Sequence, residues 1–369
     1  GLCGLTLVPL LVVGAGVGAA DADVWAHLVD NQLFELVRNT VGLVVLTALF
    51  SLLIGTSLAW LVAMHDFPLR GWFEWLLVLP LAVPAYVMAF AQLGLFDYTG
   101  AIQTYLRELT GHDVQAYFPL RSMVGVALVM ALAFYPYVYL LARNAFKTMG
   151  RRALEVGQSL GCSPRKSFWR VALPMARPWL AGGAMLVMME TLADFGAVSI
   201  FNFDTLTTGV YKAWFALFSL PTAQQLAAMV LFVVLLLIGL EQYWRGRRRY
   251  IALGSSEVQQ RTVLRGWAAG RACGWAFLVV LCAFFLPVGQ LLWWAWPSFA
   301  TDLNAEFLVY VRGSVVLSMM AACSVIAVAL CLAWTKRRSH SLLAPALVTL
   351  STMGYAVPGT VLAVGVFVP

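Results

Sequence analysis

Charge is scarce in this chain of 369 residues. Asp, Glu, Lys and Arg together make up 11% of it, where a soluble domain carries roughly 25%. That shortage, set against 62% hydrophobic residues, excludes a secreted enzyme, a disordered tail and a nucleic-acid module, because no soluble core could bury so much apolar surface. A formal net charge of +7 marks one side of a bilayer rather than a nucleic-acid partner. Metal and disulfide chemistry is equally thin. The 6 Cys form no C-x-x-C pair and most lie in apolar runs, and the 4 His (27, 65, 112, 340) are far apart, so neither a disulfide framework nor a local metal motif is present. No G-x-x-x-x-G-K-[ST], H-E-x-x-H or G-x-S-x-G occurs. The chain therefore holds no ATP by a P-loop, and no catalytic residue is assigned. Gly14-Ala15-Gly16-Val17-Gly18-Ala19 fits a dinucleotide fingerprint in letters but lacks the strand before it and the acidic residue after it, and reads as small-residue packing at a span end.

What the sequence has is long apolar runs. A bilayer core about 30 Å thick needs roughly 20 apolar residues in a helix. Nine segments reach that length: 2–20, 39–64, 75–96, 122–142, 178–202, 222–240, 272–301, 313–335 and 341–369. The expected architecture is all-α and polytopic. If the first span starts in the cytoplasm, the cytoplasmic stretches are 65–74, 143–177, 241–271 and 336–340, and these hold most of the 24 Lys and Arg. Asp21, Asp23, Asp30, Glu35, Asp97, Glu108, Asp113, Asp302 and Glu306 fall on the other side. The split follows the positive-inside rule.

A repeat is visible. Leu58-Ala59-Trp60 recurs as Leu332-Ala333-Trp334, and Ala82-Val83-Pro84 as Ala356-Val357-Pro358, both 274 positions later. Arg38 and Arg312 share that offset, as do Val87 and Val361. Residues 1–250 are expected to be a first repeat of six spans, 251–271 a basic cytoplasmic linker, and 272–369 the first three spans of an incomplete second repeat. The copies run parallel, because each has an even number of spans. A start at Gly1 without Met and an end at Pro369 inside an apolar run read as a fragment of a longer protein.

The stretch Asn144 to Pro178 is long for a loop between spans. Lys147 to Leu160 is helix-forming and stops at Gly161, which accepts the left-handed conformation. Ser163 then caps a second helix with Pro164 at its first position, where no amide donor is lost, and that helix is expected to end before Pro174. Two amphipathic helices joined by a glycine elbow either seat on a partner protein or lie on anionic lipid, and the physical chemistry accommodates both.

Glu155-Val156-Gly157, Leu160-Gly161, Phe168 and Leu173-Pro174 resemble the EAA loop of ABC-importer permeases, with Val and Gly where two Ala usually stand. The resemblance implies the type I importer permease fold, here duplicated with its second copy truncated, in the bacterial inner membrane. It also implies that Glu155, Gly157, Gly161, Phe168, Leu173 and Pro174 form the coupling element on a separate ATPase dimer. That dimer would carry the ATP and Mg, this chain would bind no cofactor, and a periplasmic binding protein would deliver the cargo.

The run from Met189 to Val198, Thr207-Thr208-Gly209-Val210-Tyr211 and the run from Leu79 to Tyr86 resemble the ferric-iron subgroup. Permeases for thiamine, sulfate, polyamines and phosphonates share the architecture. An ion-coupled carrier or channel is the competing class.

Independently of that resemblance, Glu190 and Asp194 are costly residues for a span, at about 2.5–3.5 kcal/mol each by insertion scales. At i, i+4 in a helix they face one side. Either they line a hydrated path suited to a hard cation, or they hydrogen-bond neighbouring helices and serve assembly. Pro80, Pro84 and Pro358 are expected to kink the third and ninth spans, with Pro84 and Pro358 as second candidates for the path. No metal ligand set is assigned.

Overall fold

Backbone amides in a bilayer must be satisfied within the chain, which leaves helices as the default for these apolar runs. The structure, a computed structural model, describes residues 2–16, 18, 22–112, 119–149, 155, 159, 161–245, 261–338 and 357–367. Its helices in chain order are α1 (Leu2–Ala15), α2 (Ala22–Leu28), α3 (Phe34–Met64), α4 (Arg70–Leu76), α5 (Ala85–Phe96), α6 (Ala101–Thr110), α7 (Met123–Met149), α8 (Pro164–Ser167), α9 (Leu173–Ala193), α10 (Gly196–Ile200), α11 (Leu206–Phe215), α12 (Leu220–Arg245), α13 (Trp267–Val280), α14 (Leu286–Asp302), α15 (Ala305–Arg338) and α16 (Gly359–Phe367). Among the described residues the only strand pairing is a two-residue parallel contact between β1 (His65–Asp66) and β2 (Thr262–Val263). The protein is all-α and polytopic.

Among the described residues six helical stretches are long and apolar enough to cross a bilayer: Ala22–Met64, Met123–Met149, Phe168–Ala193, Leu220–Leu240, Trp267–Phe299 and Glu306–Thr335. A seventh is formed if Arg70–Ala82 and Ala85–Thr110, bent by 97° at their junction, count as one span. Of the nine expected segments, the first and the ninth are the two with no counterpart among these stretches. Within 2–20 the described helix is α1, of 14 residues, about 21 Å long at 1.5 Å per residue. Gln224 donates to the Val12 carbonyl at 2.6 Å and closes against Gly16, in keeping with small-residue packing. The ninth, 341–369, is described only over 357–367.

The centre is a three-helix packing of α3, α7 and α9. Gly55 lets α3 approach α7 closely, since a Cβ there would sit 2.9 Å from the Tyr135 carbonyl oxygen. Leu58, Ala59, Val62, Tyr135, Tyr139 and Ala142 are fully buried at this contact, where close van der Waals packing rather than removal from water holds membrane helices together. Apolar residues remain exposed along α3, α12, α14 and α15, as expected of lipid-facing helix surfaces.

Later helices pack back on the first ones. Residue Gln92 of α5 donates to the Cys282 carbonyl at 2.6 Å, Trp294 of α14 covers Gly94, and Trp275 of α13 donates to Ser57 at 3.1 Å. In turn α16 packs on α1, with Gly365 against the Pro9 carbonyl.

Two local expectations meet the structure differently. Gly161 has φ +82°, the left-handed turn expected of it. Ser163 accepts from the Lys166 amide at 3.4 Å, capping α8 as its position before Pro164 required. The helix does not end before Pro174, however. Phe168–Ala172 forms a π-helical turn and the chain continues directly into α9, with Pro174 in its first turn. A π turn shifts the hydrogen-bond register, so the missing proline amide falls where no donor is needed and the helix passes through.

Candidate functional site

A cavity of about 270 Å³ opens beside the bend of the third span. Its walls are Pro80, Leu81, Val83, Pro84 and Ala85 from the bend, Ala133, Phe134 and Tyr137 from α7, and Glu190, Ala193 and Asp194 from α9. The bend makes the space. Pro84 sits at φ −56°, ψ 141° between the 3₁₀ turn Leu79–Ala82 and α5, and its extended geometry sets the 97° bend of this span. Pro84, Glu190 and Asp194 are therefore brought together.

Pro358 is not among the residues lining this cavity. It is buried at the start of α16, where its carbonyl accepts from the Leu362 amide at 3.1 Å.

The two carboxylates have different settings. Glu190 lies on the last turn of α9, where the Tyr137 hydroxyl donates to its Oε1 at 3.4 Å. Asp194 lies just past the helix, with φ −73° and ψ 122°. Asp194 was expected inside a continuous span 178–202, and the chain instead turns there. Its Oδ1 accepts from the Ala197 amide at 2.7 Å, and a short polar side chain that caps a following helix competes with continuing the first one. Thr207 donates to the Asp194 carbonyl at 3.4 Å, and the Thr205–Thr208 capping box starts α11 just beyond. Tyr137 and the capping role of Asp194 were not read from the sequence. An aromatic in an apolar run carries no signal of its own, whereas Asp-x-Gly was a legible turn signature.

The residues of the expected coupling loop lie at the opposite end of α9. Glu155 and Gly161 are exposed, and Gly157 lies outside the described residues. Phe168 points inward and packs edge-on against Trp60 at 4.7 Å, with Phe146 on the other side of Trp60 at 5.2 Å. Leu173 and Pro174 open α9.

At the same end a charge cluster was missed. Glu74 accepts from Arg143, from Lys147 at 2.9 Å and from Arg70 at 3.2 Å, and Arg70 also reaches Asp66 at 3.5 Å. Described residues of the basic stretches 65–74 and 143–177 thus meet at one end, and the pairing of His65–Asp66 with Thr262–Val263 brings part of 241–271 to the same place. The pairs Arg121–Asp97 at 2.9 Å and Lys212–Asp204 at 2.6 Å lie in stretches assigned to the other side.

Long apolar helices around a polar-lined cavity, with basic residues gathered at one end, define a multi-pass α-helical membrane protein. Over residues 51–250 the chain matches the binding-protein-dependent transport system inner membrane component, and it belongs to that family of inner-membrane permeases. It is similar to the Fe(3+)-transport system permease protein FbpB 2 of Haemophilus influenzae, with 27% identity over 340 residues, 90% of this chain and 62% of that protein. The sulfate transport system permease protein CysT of Salmonella typhimurium is 25% identical over 243 residues, 64% of this chain and 86% of that protein. The molybdenum transport system permease protein ModB of Azotobacter vinelandii is 33% identical over 164 residues, 44% of this chain and 70% of that protein. The chain thus spans less than two thirds of the ferric relative's length.

Proposed function

We propose that this chain is the membrane-spanning part of an ATP-driven importer whose cargo is ferric iron, and that the cavity at the bent third span is part of the iron path. The observation that carries the reading is the convergence of Glu190, Asp194 and Tyr137 on one cavity. Oxygen donors suit a hard cation, whereas two carboxylates repel sulfate or molybdate, the cargoes named for the other relatives. The 27% identity to the Haemophilus ferric permease over 90% of the chain supports the same choice. Glu155, Gly157, Gly161, Phe168, Leu173 and Pro174 form the coupling element, seated on an ATPase dimer that carries ATP and Mg, and a periplasmic binding protein hands over the cargo on the acidic side.

In the same reading 1–250 and 272–369 are two copies of one plan, joined by the linker 251–271. The reciprocal packing of α5 on α14 and of α16 on α1 supports it, because α16 starts 274 positions after α5. The test is the double variant Glu190→Gln and Asp194→Asn, with iron uptake normalised to inserted protein. Insertion at normal levels with uptake lost is the expected result. Unchanged normalised uptake with reduced abundance would assign the pair to assembly.

A further inference from the structure

The charge cluster at the basic end is out of balance. Arg70, Arg143, Lys147 and Arg261 bring four positive charges together, and among the described residues only Glu74 and Asp66 oppose them. Both Glu74 oxygens are already used by three cations. The side chains of Arg70 and Arg143 are each only 16% exposed, and the Nε of Arg143 and of Arg261 are buried without a hydrogen-bond partner among the described residues. A buried guanidinium N–H left without an acceptor is costly, so such donors call for an acceptor. Arg261 is not a stray surface residue. The β1–β2 pairing beside it and the Leu264 amide, which donates to the Asp66 carbonyl at 2.8 Å, hold it against α4. Burial, with Arg70 close by, pulls Arg261 below its ordinary value.

The surroundings are those of a membrane interface. Trp72 and Trp75 on α4 and Trp267 at the start of α13 are 71%, 77% and 89% exposed, and exposed tryptophans beside basic residues mark headgroup level.

We infer that Arg143 and Arg261, backed by Arg70 and Lys147, form a binding site for a phosphate group at the basic end, between α4, α7 and the segment entering α13. Guanidinium groups match phosphate with paired N–H donors, and basic pockets between membrane helices on the cytoplasmic side take anionic headgroups. A phosphate there offers acceptors to both orphaned Nε donors and clamps the segment entering α13 to the α3–α4 turn. The phosphate comes from an anionic lipid or from a free phosphate ion, and the same experiment separates the two.

The purified, delipidated full chain is titrated with phosphatidylglycerol, with phosphatidylcholine and with inorganic phosphate. Binding is read by native mass spectrometry and by the shift in thermal unfolding. Phosphatidylglycerol is expected to bind saturably and phosphatidylcholine weakly. Arg261→Gln should weaken phosphatidylglycerol binding about tenfold, Arg261→Lys should recover most of it, and Arg337→Gln, at an exposed basic residue on α15, should change it less than about twofold. Stabilisation by inorganic phosphate that Arg261→Gln abolishes would support the site with a free ion as occupant. Equal weakening by Arg261→Gln and Arg337→Gln would overturn the inference, leaving only a diffuse surface potential. So would unchanged lipid and phosphate binding in Arg261→Gln with loss of ATPase co-purification, which would give the cluster to a protein partner.

Discussion

Gly161 offers a graded test of the coupling element, because its geometry separates conformation from bulk. Its φ is +82° and a Cβ built on it meets nothing within 4 Å. Within the described residues the cost of Gly161→Ala is therefore that of the left-handed backbone, roughly 1–2 kcal/mol for an L-residue. A difference of that size changes the population of the correctly turned elbow about 5- to 30-fold. Asn tolerates the left-handed region better, so Gly161→Asn should lie between wild type and Ala. Proline fixes φ near −65°, so Gly161→Pro must rebuild the turn. The assay is the amount of ATPase co-purifying per inserted permease, with cargo uptake measured on the same cells. The expected order is Gly, Asn, Ala, Pro, with Pro uncoupled at normal insertion. Normal co-purification and transport in Gly161→Pro would refute the coupling assignment, and equal loss in Asn and Ala would show that something other than backbone conformation matters at the elbow.

The two roles of Asp194 should separate: Asp194→Ala removes the cap on α10 and costs about 1 kcal/mol of thermal stability, while Asp194→Asn keeps the cap and loses only iron uptake. Equal stability of the two variants would contradict the cap. A cysteine at Arg265 should react with an impermeant thiol reagent only from the cytoplasm, and one at Asp302 only from outside; the reverse pattern would invert the topology. Glu74→Gln leaves Arg70, Arg143 and Lys147 facing one another in a partly buried site and should destabilise by about 2–3 kcal/mol, read as a lower unfolding temperature in detergent. An unchanged temperature would show that solvent screens the cluster.

The sequence was most informative where one residue type decides one local conformation. Gly161 and the Ser163–Pro164 cap are of that kind, and so are the long apolar helices, because a bilayer leaves the backbone no alternative. Pro174 misled because a proline stop assumes an unbroken α-helical ladder, and a π turn over Phe168–Ala172 removes that premise. Asp194 misled because spacing on an apolar run says nothing of whether the helix persists, and its own capping bond ends it. Glu74 and Tyr137 were silent for a different reason. Beyond its i,i+4 neighbour Arg70, Glu74 meets Lys147 at a separation of 73 positions, and Tyr137 meets Glu190 at 53. These longer pairings exist only once α4, α7 and α9 have packed. The contact of His65–Asp66 with Thr262–Val263 is more distant still, and two residues are too few to show strand periodicity.

The central claim, that this permease couples ATP hydrolysis to ferric-iron import, is tested most directly by reconstituting it with its ATPase and binding protein in liposomes and measuring ATP hydrolysis against cargo. Ferric iron on the binding protein should stimulate hydrolysis severalfold, sulfate and molybdate should not, and Glu190→Gln should lose iron uptake while still binding the ATPase. Stimulation by sulfate or molybdate in place of iron would contradict the account.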